Sequence, residues 1–220
     1  EAIGDARLLE AARKIVSLLI SEFLEGGRVG FCGHEEIEHA LLRYSEHTGE
    51  EKARELAKLM INSRGQAPSP FESEWKDEEA IALSPWAQRM LGKDGKYSGE
   101  YVQDHLPVRE HTIVVGHAVR AMYLYMAAAQ IANNDGELKG ALQAVWHNMT
   151  QRRMYLTGGI GSTATNEGFT NDYDLPNYNS YAETCASVGL AMWGRQMALL
   201  FDEADYADDM ERAIFNGALA

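Results

Sequence analysis

Between Val114 and Ile131 the sequence is apolar at almost every position, with Gly116, His117, Arg120 and Gln130 the only interruptions. A helix of that composition has no face to give to water, so other helices must surround it. The run breaks at Asn133-Asn134-Asp135-Gly136, a turn-forming sequence, and Leu138 to Met154 returns as an amphipathic helix. The same plan occurs twice more. Glu35 to Tyr44 and Lys52 to Ile61 flank Thr48-Gly49, and Ala186 to Leu200 and Tyr206 to Ala218 flank Asp202-Glu203-Ala204-Asp205. A further amphipathic helix, Ala6 to Leu24, is stopped by Gly26-Gly27. Each pair opens at a small or polar corner: Gly33-His34, Gly116-His117 and Glu183-Thr184-Cys185. This is weak repetition of a helical hairpin. The fold class is therefore all-α. Such pairs stack either into an open solenoid or into a closed α/α toroid, and periodicity alone does not choose. In a toroid the corners gather at one end, which would place His34, His117 and Cys185 around one pocket.

The length of 220 residues suffices for one domain with a substantial core. The formal net charge is −13, a field that repels phosphate backbones and anionic membrane surfaces. Nucleic acid is excluded as an expected partner, while neutral carbohydrate, peptides and metal cations stay open. No segment reaches the roughly 18–20 continuous apolar residues of a membrane helix. The cysteines, Cys32 and Cys185, are too few for a disulfide scaffold and read as free thiols. With no signal peptide, a cytoplasmic location is expected. The chain opens on Glu1 without an initiator methionine, which suggests a processed or excised segment.

Two long inserts interrupt the helices. Gln66 to Arg109 carries Pro68, Pro70, Pro85 and Pro107 with Trp75 and Trp86; Thr157 to Tyr181 is rich in Gly, Asn and Asp. The second also carries Phe169, Tyr173, Tyr178 and Tyr181, which argue for order and suit a sugar as well as a packed loop. Loops this long in a compact domain are usually functional or disordered. Thr157-Gly158-Gly159-Ile160-Gly161-Ser162 superficially resembles a phosphate loop but lacks the Gly-Lys-Ser/Thr ending.

The densest chemistry lies at Asn166-Glu167-Gly168-Phe169 and Tyr181-Ala182-Glu183-Thr184-Cys185. Glycine beside Glu167 lets backbone or ligand approach closely, so Glu167 can serve as a proton donor, although a lone loop glutamate is more often a solvated side chain. Residues i and i+2 point about 200° apart on a helix but share a face when extended. Glu183 and Cys185 can serve one site only if the helix begins near Thr184. Threonine there would be a good cap, and the helix N-terminus would favour a Cys185 thiolate. Carboxylate plus thiolate makes half of a zinc site, since zinc usually takes four ligands. His34 and His117 occupy equivalent corners, and His105 in Gln103-Asp104-His105 is a third candidate. A lone corner histidine is more often a hydrogen-bonded core residue. His39, His47, His111 and His147 read as structural or solvated.

These residues also carry a family resemblance. The chain resembles the zinc-dependent β-L-arabinofuranosidases of glycoside hydrolase family 127, also described as DUF1680. The stretches that carry it are Gly33-His34-Glu35-Glu36-Ile37-Glu38, Gln103-Asp104-His105 with Pro107-Val108-Arg109-Glu110, and Gly116-His117-Ala118-Val119-Arg120-Ala121. They continue, in order, with Thr157 to Ser162, Glu167 and Phe169, Asp172 to Asn177, Glu183-Thr184-Cys185-Ala186, and Tyr206-Ala207-Asp208 with Asn216-Gly217.

The resemblance implies that residues 1–220 are part of an (α/α)6-barrel catalytic domain, with β-sandwich modules elsewhere in the full-length protein. It implies a retaining glycosidase with a carbohydrate substrate and a cysteine thiolate nucleophile. Glu167 then matches the acid/base, Glu183 and Cys185 match two zinc ligands, and His34 and His117 match histidines that contact substrate. The family's pair of adjacent cysteines, one of them the nucleophile, has no counterpart here, and Cys32 does not match it. This segment alone is therefore expected to bind zinc weakly and to cleave no arabinofuranoside. The competing readings are a non-catalytic helical-repeat protein that binds a glycan or a partner, and an α/α-toroid sugar epimerase or lyase, which would need no zinc.

Overall fold

A computed structural model describes residues 6–74, 88–92 and 94–220. Trp75, Trp86 and Pro85 of the first insert lie outside the described residues. The helices are α1 (Arg7–Leu19), α2 (Glu36–Thr48), α3 (Glu51–Asn62), the short α4 (Pro70–Glu74), α5 (Ala118–Ile131), α6 (Gly136–Arg152), α7 (Thr184–Phe201) and α8 (Asp205–Ala213). α1 and α8 each run on into a wider π turn, Ile20–Glu25 and Ile214–Ala218. Among the described residues there is no strand, only isolated bridges such as His117 with Gly168 and Met154 with Ile160. No described helix is long and apolar enough to cross a membrane.

The hairpin plan holds. α2 packs on α3, α5 on α6, and α7 on α8, while α2, α5 and α7 stand side by side as an inner row. α5 is the middle member, and every residue from Ala118 to Ala129 except Tyr123 is buried. Such complete enclosure is what its composition demands. Its Ala127, Ala128 and Ala129 let neighbouring helices come close. The α5–α7 contact is the most extensive in the molecule, and at Gly189 an added Cβ would stand 2.9 Å from that of Met122. Below, Trp146, Trp193, Tyr125 and Tyr206 form a chain of edge and tilted ring contacts that joins the three later helices to α5.

The apolar run at Val114 starts before the helix does. Gly116 takes φ +74, in the left-handed region open to glycine, and a Cβ there would lie 1.9 Å from the Glu100 carbonyl oxygen. His117 is extended, and α5 begins only at Ala118. Beside this corner the buried Gln103 donates from Nε2 to the Val115 carbonyl at 2.9 Å. Asp104 next to it accepts from Gly65 N–H, Ser69 Oγ and Tyr97 Oη at 2.6, 2.5 and 2.7 Å. These bonds fold the first insert back over the ends of α3 and α5.

The second insert is ordered by Asp172. It accepts from Arg152 Nη1, Arg153 Nε and Asn148 Nδ2 at 2.9, 2.8 and 3.2 Å, all at the end of α6. These bonds hold its carboxyl well below the usual range, at about 2. Of the aromatics on this insert, Phe169 is buried, Tyr173 and Tyr178 are exposed, and Tyr181 turns toward the start of α7.

Candidate active site

The corners of the three inner helices meet at one end of the row. Glu167 sits at φ +53, an unusual backbone position for glutamate. Its carbonyl accepts from Ala118 N–H at 3.0 Å, and Phe169 N–H donates to the Gly116 carbonyl at 3.0 Å. Gly168 makes this possible, because a Cβ there would stand 1.9 Å from the Gly116 oxygen. The close approach inferred from the flanking glycine is thus the backbone of α5's own corner.

So held, the Glu167 carboxylate lies between two donors. His117 Nε2 is 3.0 Å from Oε2, and Arg89 Nη1 is 3.0 Å from Oε1. His117 Nδ1 is buried without a partner. The neutral tautomer with the proton on Nε2 puts a donor toward the carboxylate and leaves Nδ1 a bare acceptor, so that tautomer is the favoured one. Burial first, and then the charge of Arg120, hold the His117 ring below its ordinary range. Burial pushes the Glu167 carboxyl up, but the bonds from His117 and Arg89 outweigh it and leave the group below its ordinary value. Glu167 therefore rests as a carboxylate.

Tyr101 braces this pair. Its ring meets His117 edge-on at 5.5 Å, its hydroxyl accepts from Arg89 at 3.2 Å, and Arg120 lies over its face at 5.0 Å. Arg120 in turn donates to the Gly33 carbonyl, which ties the His34 corner to α5. His34 is partly exposed, with its ring 5.7 Å from that of Tyr123.

Glu183 is extended, at φ −68 and ψ 151, and α7 begins at Thr184. This is the geometry the two-residue spacing requires, and it brings the Glu183 carboxylate near enough to act on the Cys185 thiol. The Glu183 carboxylate also acts on Tyr181 and pushes its phenol up to about 12. The Glu183 charge is felt at His117 and at Tyr123, so the two halves of the site face one another. Two local expectations are corrected. Thr184 is the first helical residue rather than the cap, and Glu183, in the cap position, makes no side-chain cap bond. Cys185 is not a ready thiolate: burial and the Glu183 carboxylate push the thiol up to about 11, against a weaker pull from the backbone N–H groups.

The donor chemistry of Glu183 and Cys185 fits zinc, a carboxylate and a thiol two residues apart at the extended entry to α7. They are two donors, and among the described residues no group of three His, Cys, Asp or Glu side chains is placed to hold a metal. Cys32 is exposed, accepts from His34 N–H through its sulfur at 3.3 Å, and lends its carbonyl to Arg64. His105 is not among the residues gathered here. Its ring stacks on that of His111 at 4.4 Å, where burial lowers its pKa to about 4. Arg89, Tyr101 and Tyr123 escape sequence reasoning because none sits in a spacing that signals chemistry.

Known proteins match this chain in sequence and fold. The sequence pattern described as beta-L-arabinofuranosidase, GH127 catalytic domain, covers residues 1–220. The chain belongs to that family. The GH127 chain is 38% identical over 224 residues to a non-reducing end beta-L-arabinofuranosidase of Bifidobacterium longum subsp. longum, aligning 100% of its own length with 33% of that protein. It is also similar to the crystal structure of a GH127 beta-L-arabinofuranosidase from Geobacillus stearothermophilus T6, with a TM-score of 0.86 and 44% identity over 99% of this chain and 34% of that one. A second solved GH127 beta-arabinofuranosidase matches at TM-score 0.67 and 32% identity, over 83% of this chain and 25% of its own. The GH127 chain thus spans about a third of the length of the relatives it matches, and its helical hairpins are part of a helical barrel.

Proposed function

We propose that this chain supplies one wall of the active site of a retaining β-L-arabinofuranosidase, with Glu167 as the acid/base. The observation that carries the reading is the meeting of Glu167 and His117 with the Glu183–Cys185 pair across the α5–α7 contact. Family membership favours this over an epimerase, a lyase or a non-catalytic repeat protein.

The substrate is a carbohydrate, contacted by His34 and His117 at the two corners. Glu167 lends a proton to the leaving oxygen as the glycosidic bond breaks, and as a carboxylate it later takes one from the incoming water. Its resting state suits the second of these tasks. His117, neutral and fixed, aims Oε2. Glu183 and Cys185 would be two of zinc's ligands. A bound zinc would supply strong local positive charge and hold coordinated thiols deprotonated. The nucleophile and the remaining ligands are expected from outside the present 220 residues.

The test is Glu167→Gln in the intact protein. Natural arabinofuranosides should slow by roughly 10²–10⁴-fold. An activated aryl glycoside, whose phenolate leaves unaided, should lose less in the burst of bond cleavage. Equal loss on both substrates would reduce Glu167 to a sugar-positioning group, and near-normal activity on both would remove it from the site.

A further inference from the structure

Both oxygens of Glu167 are occupied, one by His117 and one by Arg89. A carboxyl group that protonates a glycosidic oxygen must turn one oxygen to that atom, so one partner has to give way. The two are not held equally. The His117 side chain is 11% exposed, its ring is packed against Tyr101, and its N–H donates to the Tyr101 carbonyl at 3.3 Å. Its backbone is also bridged to Gly168. The Arg89 side chain is 34% exposed, and its guanidinium is held by Glu167 and by the Tyr101 hydroxyl. Arg89 comes from the first insert, whereas His117 is rooted at the start of α5.

We propose that Arg89 is a positioning residue of the glycosidase reaction, which occupies Oε1 of Glu167 in the free enzyme and yields that oxygen to the leaving-group oxygen when substrate binds. The inference rests on the reading of Glu167 as acid/base. Its logic is electrostatic. A carboxylate beside a guanidinium stays ionised, which suits a base and not an acid. Moving the guanidinium away removes most of the positive charge at Oε1, and Glu167 then takes up a proton from solvent. In the first half-reaction the Glu167 O–H bond breaks as that proton bonds to the leaving oxygen, which keeps the electron pair of the cleaved C–O bond. In the second half-reaction the sugar's bond to the nucleophile, formed as the leaving oxygen departed, breaks as the oxygen of water bonds to the sugar and the water proton passes to Glu167. Glu167 then releases that proton to solvent as product leaves, and Arg89 closes again on the carboxylate. The other charged or titratable groups around Glu167 are His117 and Arg120 from α5, Tyr101 from the first insert, and Tyr181 and Glu183 from the segment before α7. Of these, His117 alone shares direct contact with the carboxylate, through the oxygen that Arg89 does not use.

The experiment is a pH profile of kcat/KM, which reports ionisations of the free enzyme. It is run in the intact protein on a natural arabinofuranoside and on an activated aryl glycoside. Arg89→Gln removes the charge, Arg89→Ala is a second neutral variant, and Arg89→Lys keeps the charge. With the natural substrate, both neutral variants should move the alkaline limb upward by about one pH unit or more, while Arg89→Lys stays close to wild type. The aryl substrate, which needs little acid help, should show a much smaller movement. Neutral variants whose profiles superpose on wild type would overturn the proposal. So would equal losses in all three variants at every pH and on both substrates, the mark of a merely structural arginine. Glu167→Gln in the same assays separates the failures. If it is impaired while the Arg89 variants are unshifted, the Arg89 inference alone falls. If it is near normal on the natural substrate, the acid/base reading falls first.

Discussion

Gly168 has as much influence on Glu167 as any side chain in contact with it. Adding one methyl group would drive a Cβ to 1.9 Å from the Gly116 carbonyl oxygen, against backbone that cannot swing aside. We expect Gly168→Ala to destabilise the intact protein by about 2–4 kcal/mol and to cost most of the activity, checked by thermal denaturation and turnover of an arabinofuranoside. The need for a close approach at this place was legible, since a glycine beside a loop glutamate says little else. His117 was legible for a similar reason: it stands at a corner equivalent to that of His34. Arg89 was not, because an arginine in a proline-rich insert carries no signal until the chain folds back. His105 shows the reverse. It lies in a motif beside Gln103 and Asp104, but those neighbours do structural work, and the histidine ends stacked on His111.

At the level of elements, the helices follow directly from apolar spacing, and their ends follow from glycine and from acidic turns. What spacing could not give is how the inserts attach. Asp172 fastens the second insert to α6 through Arg152, Arg153 and Asn148, residues that look like an ordinary polar helix end in sequence. Its depressed pKa fixes the sign of its contribution. The carboxylate stabilises the fold above its unfolded pKa near 3.8, and that stability is lost as pH falls through about 2. Asp172→Asn should therefore be less stable than wild type by roughly 1 kcal/mol at neutral pH, because the site is partly exposed. The gap between the two proteins should close in acid, read as the difference in melting temperature from pH 7 down to pH 2. The start of α7 was more transparent. Two residues can share a site at that spacing only if the backbone between them is extended, and Glu183 is.

Over the whole molecule, the least expected feature is a buried charge cluster beneath the His34 corner. Arg64 is fully buried, stacks 4.3 Å from the Phe31 ring, and donates to the Val102 and Cys32 carbonyls and to Glu38, each at 2.9 Å. One guanidinium thus joins α3, the corner before α2 and the first insert. Glu35 lies 3.4 Å from it, fully buried, with neither carboxyl oxygen accepting a hydrogen bond. Burial pushes its pKa up to about 8, against the pull of Arg64. Because the folded value exceeds the unfolded one, stability is greatest below about pH 4.5 and falls as pH rises through about 8. Glu35→Gln keeps the shape and cannot ionise. It should match wild type near pH 5 and melt several degrees higher at pH 9; a wild-type advantage that persists at pH 9 would contradict this. Nothing in the spacing of Glu35 and Glu38 signals their burial, because the arginine they meet waits a helix away. The packing of α5 on α7 has a consequence of another kind. One helix is entered through His117 and anchors Glu167, the other is entered through Glu183 and carries Cys185, and one turn along each a Cβ added at Gly189 would stand 2.9 Å from that of Met122. The gap between the Glu167–His117 corner and the Glu183–Cys185 corner is thus set one turn away from both, and it is a hydrogen atom in the core that fixes its tolerance.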